Sequence, residues 1–417
     1  MSATAPGQAT PDPGDVTPAG PGAGLAAERV SLRDAARRLV EGDLGSLRVV
    51  LVLVVIWTIF TIANDRFLTA VNLTNLALQI AAVGTISVGV VLVLLLGEID
   101  LSVGAVSGLA AAVTATLSVK SGWGAWPAIL AGLAVGATIG LLQGTLSTRL
   151  GIPSFVVTLA GLLGWQGALL AVLGSDGTVN ISDPGITNLA GTFFSDVVGW
   201  LVAAACIAAI VLSTFGRRRR RLAAGLEVEP AAAVALRVGA SAAGILAAVA
   251  IVNADRGLPL ALVILVGLVV LVQGLITRTT YGKHVFAVGG NAEAARRAGI
   301  NVARVRTIVF VLTSTLAAFG GILAASRLLA VNQSSGSGDL LLLAIAGPVI
   351  AGVSLFGGRG SVWGALLGAL VIGSISNGMD LLALESSVKF MVTGGVLLVA
   401  VALDAIGRQR RQAHGRL

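Results

Sequence analysis

The segment Gly97-Glu98-Ile99-Asp100-Leu101-Ser102-Val103-Gly104 places two carboxylates and a hydroxyl between two long apolar runs. A charge at bilayer depth costs at least ~2.5–3.5 kcal/mol on insertion scales, so it is normally given a cavity or a partner. Three roles fit Glu98, Asp100 and Ser102. They could line the path of a solute, or carry a proton across the membrane. They could also cap the next helix, Asp100 supplying the charge its dipole favours and Ser102 the hydroxyl. Asn72, Asn75 and Gln79 recur at helical spacing at the start of the preceding run and so share one face. They read as a hydrated helix end or as the mouth of a path.

The other stretch with chemical character is Tyr281–Arg306, the longest basic interval between two apolar runs, Leu258–Ile276 and Ile308–Ala325. Lys283, Arg296, Arg297, Arg304 and Arg306 lie close to the membrane ends, which marks this loop as cytoplasmic. Within it, Asn291–Gly299 reads as a short helix. Asn291 is the N-cap, Glu293 stands in the first turn, Ala294, Ala295 and Ala298 favour helix, and Gly299 stops it. A small-residue helix on a basic loop suits docking into a partner better than it suits catalysis.

Several chemistries are excluded by what the chain contains. No Gly-x-x-x-x-Gly-Lys-Ser/Thr phosphate loop occurs; Gly282-Lys283 lacks both the upstream Gly and the following Ser/Thr. The chain therefore hydrolyses no ATP and is not read as an enzyme. Cys206 is the single cysteine and lies in an apolar run, and His284 and His414 are the only histidines, so no metal or other cofactor site is expected. The net charge is +8, which in a soluble protein would suggest nucleic acid. Here the basic residues fall in inter-helix loops and tails, where the positive-inside rule explains them, and no nucleic acid is expected.

The elements that must position these residues are membrane helices. Of 417 residues 56% are hydrophobic and only 12% charged, against about 25% charged in soluble domains; mean hydropathy is +0.94. The fold class is an all-α polytopic membrane protein with both termini cytoplasmic, in three parts. A disordered, then amphipathic, tail covers 1–46, with Arg29, Arg33, Arg37 and Arg38 at the inner surface and no signal peptide. A transmembrane domain covers 47–405 with its cytoplasmic loop at 277–307, and a basic tail covers 406–417. Twelve spans are expected, at about 47–63, 73–96, 101–118, 126–147, 155–173, 197–215, 234–252, 258–276, 308–325, 340–355, 362–375 and 388–405. Counting from a cytoplasmic N-terminus puts the run Arg217–Arg221, the basic loop and the C-terminus on one side. The loop Gly174–Asp196, which lacks Lys and Arg, falls on the other.

Small residues at four-residue spacing, Gly140–Gly144 and Gly364–Gly368, with Gly320-Gly321, predict close helix packing in lipid. Most of the six tryptophans fall near span ends, as an interfacial belt requires.

These segments together resemble the membrane permeases of ATP-binding-cassette sugar importers of the ribose/xylose type. Gly97–Gly104 is similar to that family's GGIDLSVG segment, and Ile152–Gly161 to its next signature. Ala287–Val305 resembles its cytoplasmic coupling segment, and Glu293-Ala-Ala-x-x-x-Gly299 has the spacing of importer permeases. Gly357–Gly373 resembles its late helix pair. The resemblance runs in order over about 67–404. It implies a helical subunit of a homodimer in the cell membrane, with an ATP-binding subunit on the cytoplasmic side and a sugar-binding protein outside. ATP and magnesium would be used by the partner subunit. Gly290, Asn291, Glu293, Ala294, Ala295, Arg296, Arg297 and Gly299 would couple to the ATPase. Glu98, where many members have Gly, and the extra pair of spans around Arg217–Arg221 lean toward the xylose-type subgroup; Leu343 stands where the family often has Asp. A proton-coupled secondary transporter using Glu98 or Asp100 remains the alternative, although the other acids near spans (Asp380, Glu385 and Asp404) are few and close to span ends.

Overall fold

A computed structural model describes residues 44–226 and 228–413. The predicted amphipathic stretch around Arg29–Val40 and the last residues of the basic tail lie outside the described residues. In chain order the helices are α1 (Leu44–Ala63), α2 (Ala70–Leu95), α3 (Val103–Val119), α4 (Ala125–Arg149) and α5 (Ser154–Leu173). There follow β1 (Thr178–Asn180), α6 (Pro184–Gly191), β2 (Phe193–Phe194), α7 (Asp196–Ala223), α8 (Ala231–Asn253) and β3 (Leu258–Pro259). Then come α9 (Leu260–Arg278), α10 (Thr280–Gly290), α11 (Ala292–Arg297), α12 (Val302–Leu328), β4 (Ala330–Asn332), α13 (Gly338–Ile350), α14 (Trp363–Leu381) and α15 (Ser386–Ala413). Each of the twelve predicted apolar runs forms a helix. Among the described residues, eight helices are long and apolar enough to cross a membrane. The apolar parts of α1, α3, α13 and α15 are shorter.

Burial sorts the helices into a centre and a periphery. The apolar window of α2 is 89% buried and that of α12 is 61% buried, whereas those of α7 and α8 are 11% and 6% buried. α7 and α8 form a hairpin that touches the body mainly at one end. There Asn253 donates to the Asp196 carbonyl, and β2 pairs with β3. β1 pairs antiparallel with β4 at the same end, where Lys120 bonds the Leu173 carbonyl and Asp176 at 2.7 Å. That ammonium holds the Asp176 carboxyl below the usual range. α10 and α11 lie at the opposite end, called here the basic end.

The core is held by backbone contact through glycine. A Cβ added at Gly136 would stand 2.6 Å from Ser314 O. At Gly140 it would strike the Phe310 carbonyl, and at Gly144 the Thr307 backbone, so α4 lies directly on α12. Gly320 and Gly321 bring α12 onto α2 and α3, and Gly347 meets Gly368 where α13 crosses α14. Thr313 adds a hydrogen bond from α12 to the Gly89 carbonyl of α2. The glycine pairs expected from spacing are the ones in contact.

One predicted span is corrected. Rather than a full span over 340–355, α13 is a 13-residue helix ending at Ile350, with Pro348 inside it. The chain entering it, 333–337, is not helical. Pro348 lacks the N–H that would bond one turn back, and the break beyond Ile350 is closed by Val353 N on the Pro348 carbonyl.

Overpacking a close crossing typically costs about 1–3 kcal/mol. Gly140→Leu is therefore expected to lower the thermal unfolding midpoint of the purified protein in detergent clearly. Gly164→Leu, on α5 where an added Cβ meets nothing within 4 Å, leaves it unchanged.

Candidate functional site

At the basic end three loops converge on a junction of glycines. Leu95 and Gly97 close α2, Gly289 and Gly290 end α10, and Gly357 and Gly358 lie between α13 and α14. Gly358 N–H donates to the Leu95 carbonyl at 2.9 Å. A Cβ on Gly357 would stand 2.6 Å from Gly289 O and 2.7 Å from Gly97 N, and one on Gly289 would strike the Leu95 carbonyl. Gly97, Gly357 and Gly358 all have positive φ, at 74°, 83° and 69°, a conformation glycine alone adopts cheaply. Sequence reasoning singled out Gly290; its backbone lies against Gly358, yet a Cβ added on Gly290 meets nothing within 4 Å, and Gly289 is the position where one would clash. No sequence signal separates the two.

α11 hangs from this junction. Asn291 Oδ1 accepts from Ala294 N at 2.9 Å, the expected N-cap. Gly299 ends the turn at φ 83°. Glu293 pairs with Arg296 at 3.0 Å and Arg297 at 3.3 Å. Glu293, Ala294, Arg296, Arg297, Ala298 and Gly299 are exposed, while Ala295 is buried in the core. Tyr281 on α10 donates to the Val305 carbonyl on α12, and burial pushes its hydroxyl above the usual phenolic range.

Glu98 and Asp100 have different surroundings. Glu98 pairs with Arg306 of α12 at 3.0 Å and accepts the Ser154 hydroxyl. It lines a cavity of about 260 Å³ with Ser147, Thr148, Ser154, Arg296 and Arg306. Asp100 is 4% exposed. Its Oδ1 accepts from Ser102 N at 2.8 Å and from Ser102 Oγ at 2.7 Å. Ser102 Oγ in turn accepts from Gln143 Nε2 at 2.8 Å. Asp100 Oδ2 and Gln143 Oε1 are buried with no partner, as is Trp165 Nε1. Ser102 is the N-cap residue of α3, but its hydroxyl makes no capping bond; Asp100 holds the Ser102 backbone instead.

Asn72, Asn75 and Gln79 do not act together. Asn72 forms a paired amide bond with Asn377 of α14, at 2.8 and 3.0 Å. Asn75 accepts from Arg256 at 2.7 Å. Gln79 lines a small crevice with Leu343, Ile372 and Ser376. Among the described residues, no group of three or more His, Cys, Asp or Glu could hold a metal.

Removing a buried acceptor strands its donors at a cost of about 1–3 kcal/mol. Asp100→Ala strands the Ser102 N–H and hydroxyl, whereas Asp100→Asn keeps the acceptor. Unfolding midpoints in detergent are expected to fall clearly for Ala and little or not at all for Asn.

Comparison with known proteins agrees with this architecture. Residues 72–401 match the family described as branched-chain amino acid transport system / permease component. The xylose transport system permease protein of Haemophilus influenzae is 35% identical over 357 residues, 85% of this chain and 95% of that protein. The corresponding Escherichia coli K12 protein is 35% identical over 359 residues, 86% and 91% of the two chains. The ribose import permease protein of Bacillus subtilis is 32% identical over 364 residues, 87% and 94%. No solved structure matches.

Proposed function

The chain belongs to the family described as branched-chain amino acid transport system / permease component, and on that premise we propose that it is the membrane subunit of an ATP-driven importer that moves a monosaccharide of the xylose/ribose type. The observation that carries this reading is the similarity, over nearly the whole of each chain, to permeases named for xylose and ribose. The protein is a multi-pass membrane protein, and in this reading it works as a homodimer of chains with cytoplasmic termini. Sugar arrives from an extracytoplasmic binding protein, and a separate cassette subunit hydrolyses ATP with magnesium.

The exposed face of α11 is the contact with that ATPase. Glu293, Arg296 and Arg297 offer charges on a short rigid helix, Ala294 and Ala298 permit close approach, and Asn291 and Gly299 fix its ends. Gly290 precedes it with its backbone against Gly358. Movement of α11 reaches the membrane through the glycine junction and the Glu98–Arg306 pair, since both connect it to α2, α3 and α12. Of the polar residues considered for a solute path, Asn75 and Gln79 keep exposure or a crevice. Asn72, Asp100 and Ser102 serve within the bundle, and Glu98 serves the connection to α11.

The test is ATP hydrolysis in proteoliposomes containing this chain, its ATPase and its sugar receptor. Sugar-loaded receptor is expected to stimulate the wild type, and Glu293→Arg with Gly299→Trp to abolish the response. Uptake that follows a proton gradient and ignores ATP would overturn the reading in favour of Glu98 or Asp100 as a proton carrier. In the same assay Glu98→Arg or Arg306→Glu alone is expected to lower transport per ATP by about fivefold or more, the effect of a coupling of ~1 kcal/mol. The double exchange is expected to recover most of the loss.

A further inference from the structure

The non-helical segment 333–337, between β4 and α13, runs from the end opposite α10 into the bundle. Gly336, at φ 74°, lies against Gly104 and Gly108 in the first turns of α3, and the Ser335 carbonyl lies over Gly108. At a rise of roughly 1.5 Å per residue, Gly108 and Gly104 stand about 16 and 22 Å from Val119 at the far end of α3. That puts the segment at mid-depth among helices that cross about 30 Å of hydrocarbon.

Lipid gives backbone groups no partners, so non-helical chain at this depth is tolerated only inside protein or along a water-filled cavity. This segment is not enclosed by its own chain. Gln333, Ser334 and Ser337 are exposed, and Ser335 and Gly336 are only half-buried. Local bonds hold its shape: Asn332 Oδ1 accepts from Ser334 N at 2.9 Å, and Ser335 Oγ accepts from Asn332 N at 3.0 Å. Gln166 of α5 donates to the Gln333 carbonyl at 2.9 Å. The hydroxyls of Ser334 and Ser337 have no partner among the described residues.

We propose that residues 333–337 line the aqueous route through the transporter at mid-depth, with the Ser334 and Ser337 hydroxyls and adjoining backbone groups hydrogen-bonding a polyhydroxylated solute. Hydroxyls that both donate and accept suit a sugar passing in changing orientations, and the lack of charge keeps it from being held. The identity of the solute rests on the importer reading above; the wet segment itself does not.

The experiment is thiol labelling of the assembled transporter in proteoliposomes, in a Cys206→Ser background. Ser334→Cys and Ser337→Cys are compared with Leu163→Cys, an α5 position 72% exposed on an apolar face. A charged, membrane-impermeant methanethiosulfonate reacts with the thiolate, which forms in water and not in hydrocarbon, so the two serine positions are expected to react at least about tenfold faster than the control. Rates as slow as that of Leu163→Cys overturn the proposal. So does oxidative cross-linking of Ser337→Cys between two copies without labelling, because the segment is then covered by a second chain. Both serine changes are small, and receptor-stimulated ATP hydrolysis in the same vesicles verifies assembly. Absence of that stimulation in the wild type would instead count against the importer reading.

Discussion

Everything in this chain depends on backbones touching without side chains between them. In hydrocarbon there is no hydrophobic gain from bringing two apolar helices together, so close dispersion contact and occasional polar bonds must hold them. α12 meets that requirement on three sides: at Gly136, Gly140 and Gly144 of α4, at Gly89 of α2, and through its own Gly320 and Gly321 on α2 and α3. A helix fixed in this way cannot shift alone. Any displacement at its basic end, where Arg306 holds Glu98, must be shared with its neighbours.

The same device recurs at the basic end for a different purpose. Gly97, Gly289 and Gly357 bring three loops to within backbone contact, and Gln273 of α9 accepts from Val362 N and Ser361 Oγ to fix the start of α14. α11 thus stands on a platform built from five helices rather than on a flexible loop. Its outward face carries charge, and its inward face buries Ala295. Such an element can transmit a push because its base has little freedom to absorb one.

Local patterns were legible in the sequence, and long-range pairings were not. Hydropathy located the twelve apolar helices, and the Asn291 cap and Gly299 stop followed from residue types whose chemistry is local. Glycine spacing identified Gly140, Gly144, Gly320, Gly321 and Gly368 because close packing in lipid leaves few other choices. By contrast, Asn72 meets Asn377 across 305 positions, and nothing in either neighbourhood announces the other. Glu98 and Asp100 look equivalent two residues apart, yet an arginine from α12 reaches the first and only a serine bonds the second. The early end of α13 was masked because its apolar run continues past Pro348, and hydropathy does not register a missing N–H.

The two departures from helix share a logic. From the basic end the chain of Gly97–Ser102 leads inward to the buried Asp100–Ser102–Gln143 cluster, closed by its own hydrogen bonds except at single atoms of Asp100 and Gln143. From the other end 333–337 leads inward to Gly104 and Gly108, on the same first turns of α3. The first stretch exposes Gly97 and Ile99 at the basic end and buries Asp100 and Ser102 among neighbouring helices, whereas the other is left open to a face of the chain. Because unsatisfied polar groups are expensive away from water, the buried Asp100–Ser102–Gln143 cluster acts as structure. The open one needs water, a solute or a second chain beside it, which is why the asymmetry between them, rather than the carboxylates alone, indicates where a solute would pass.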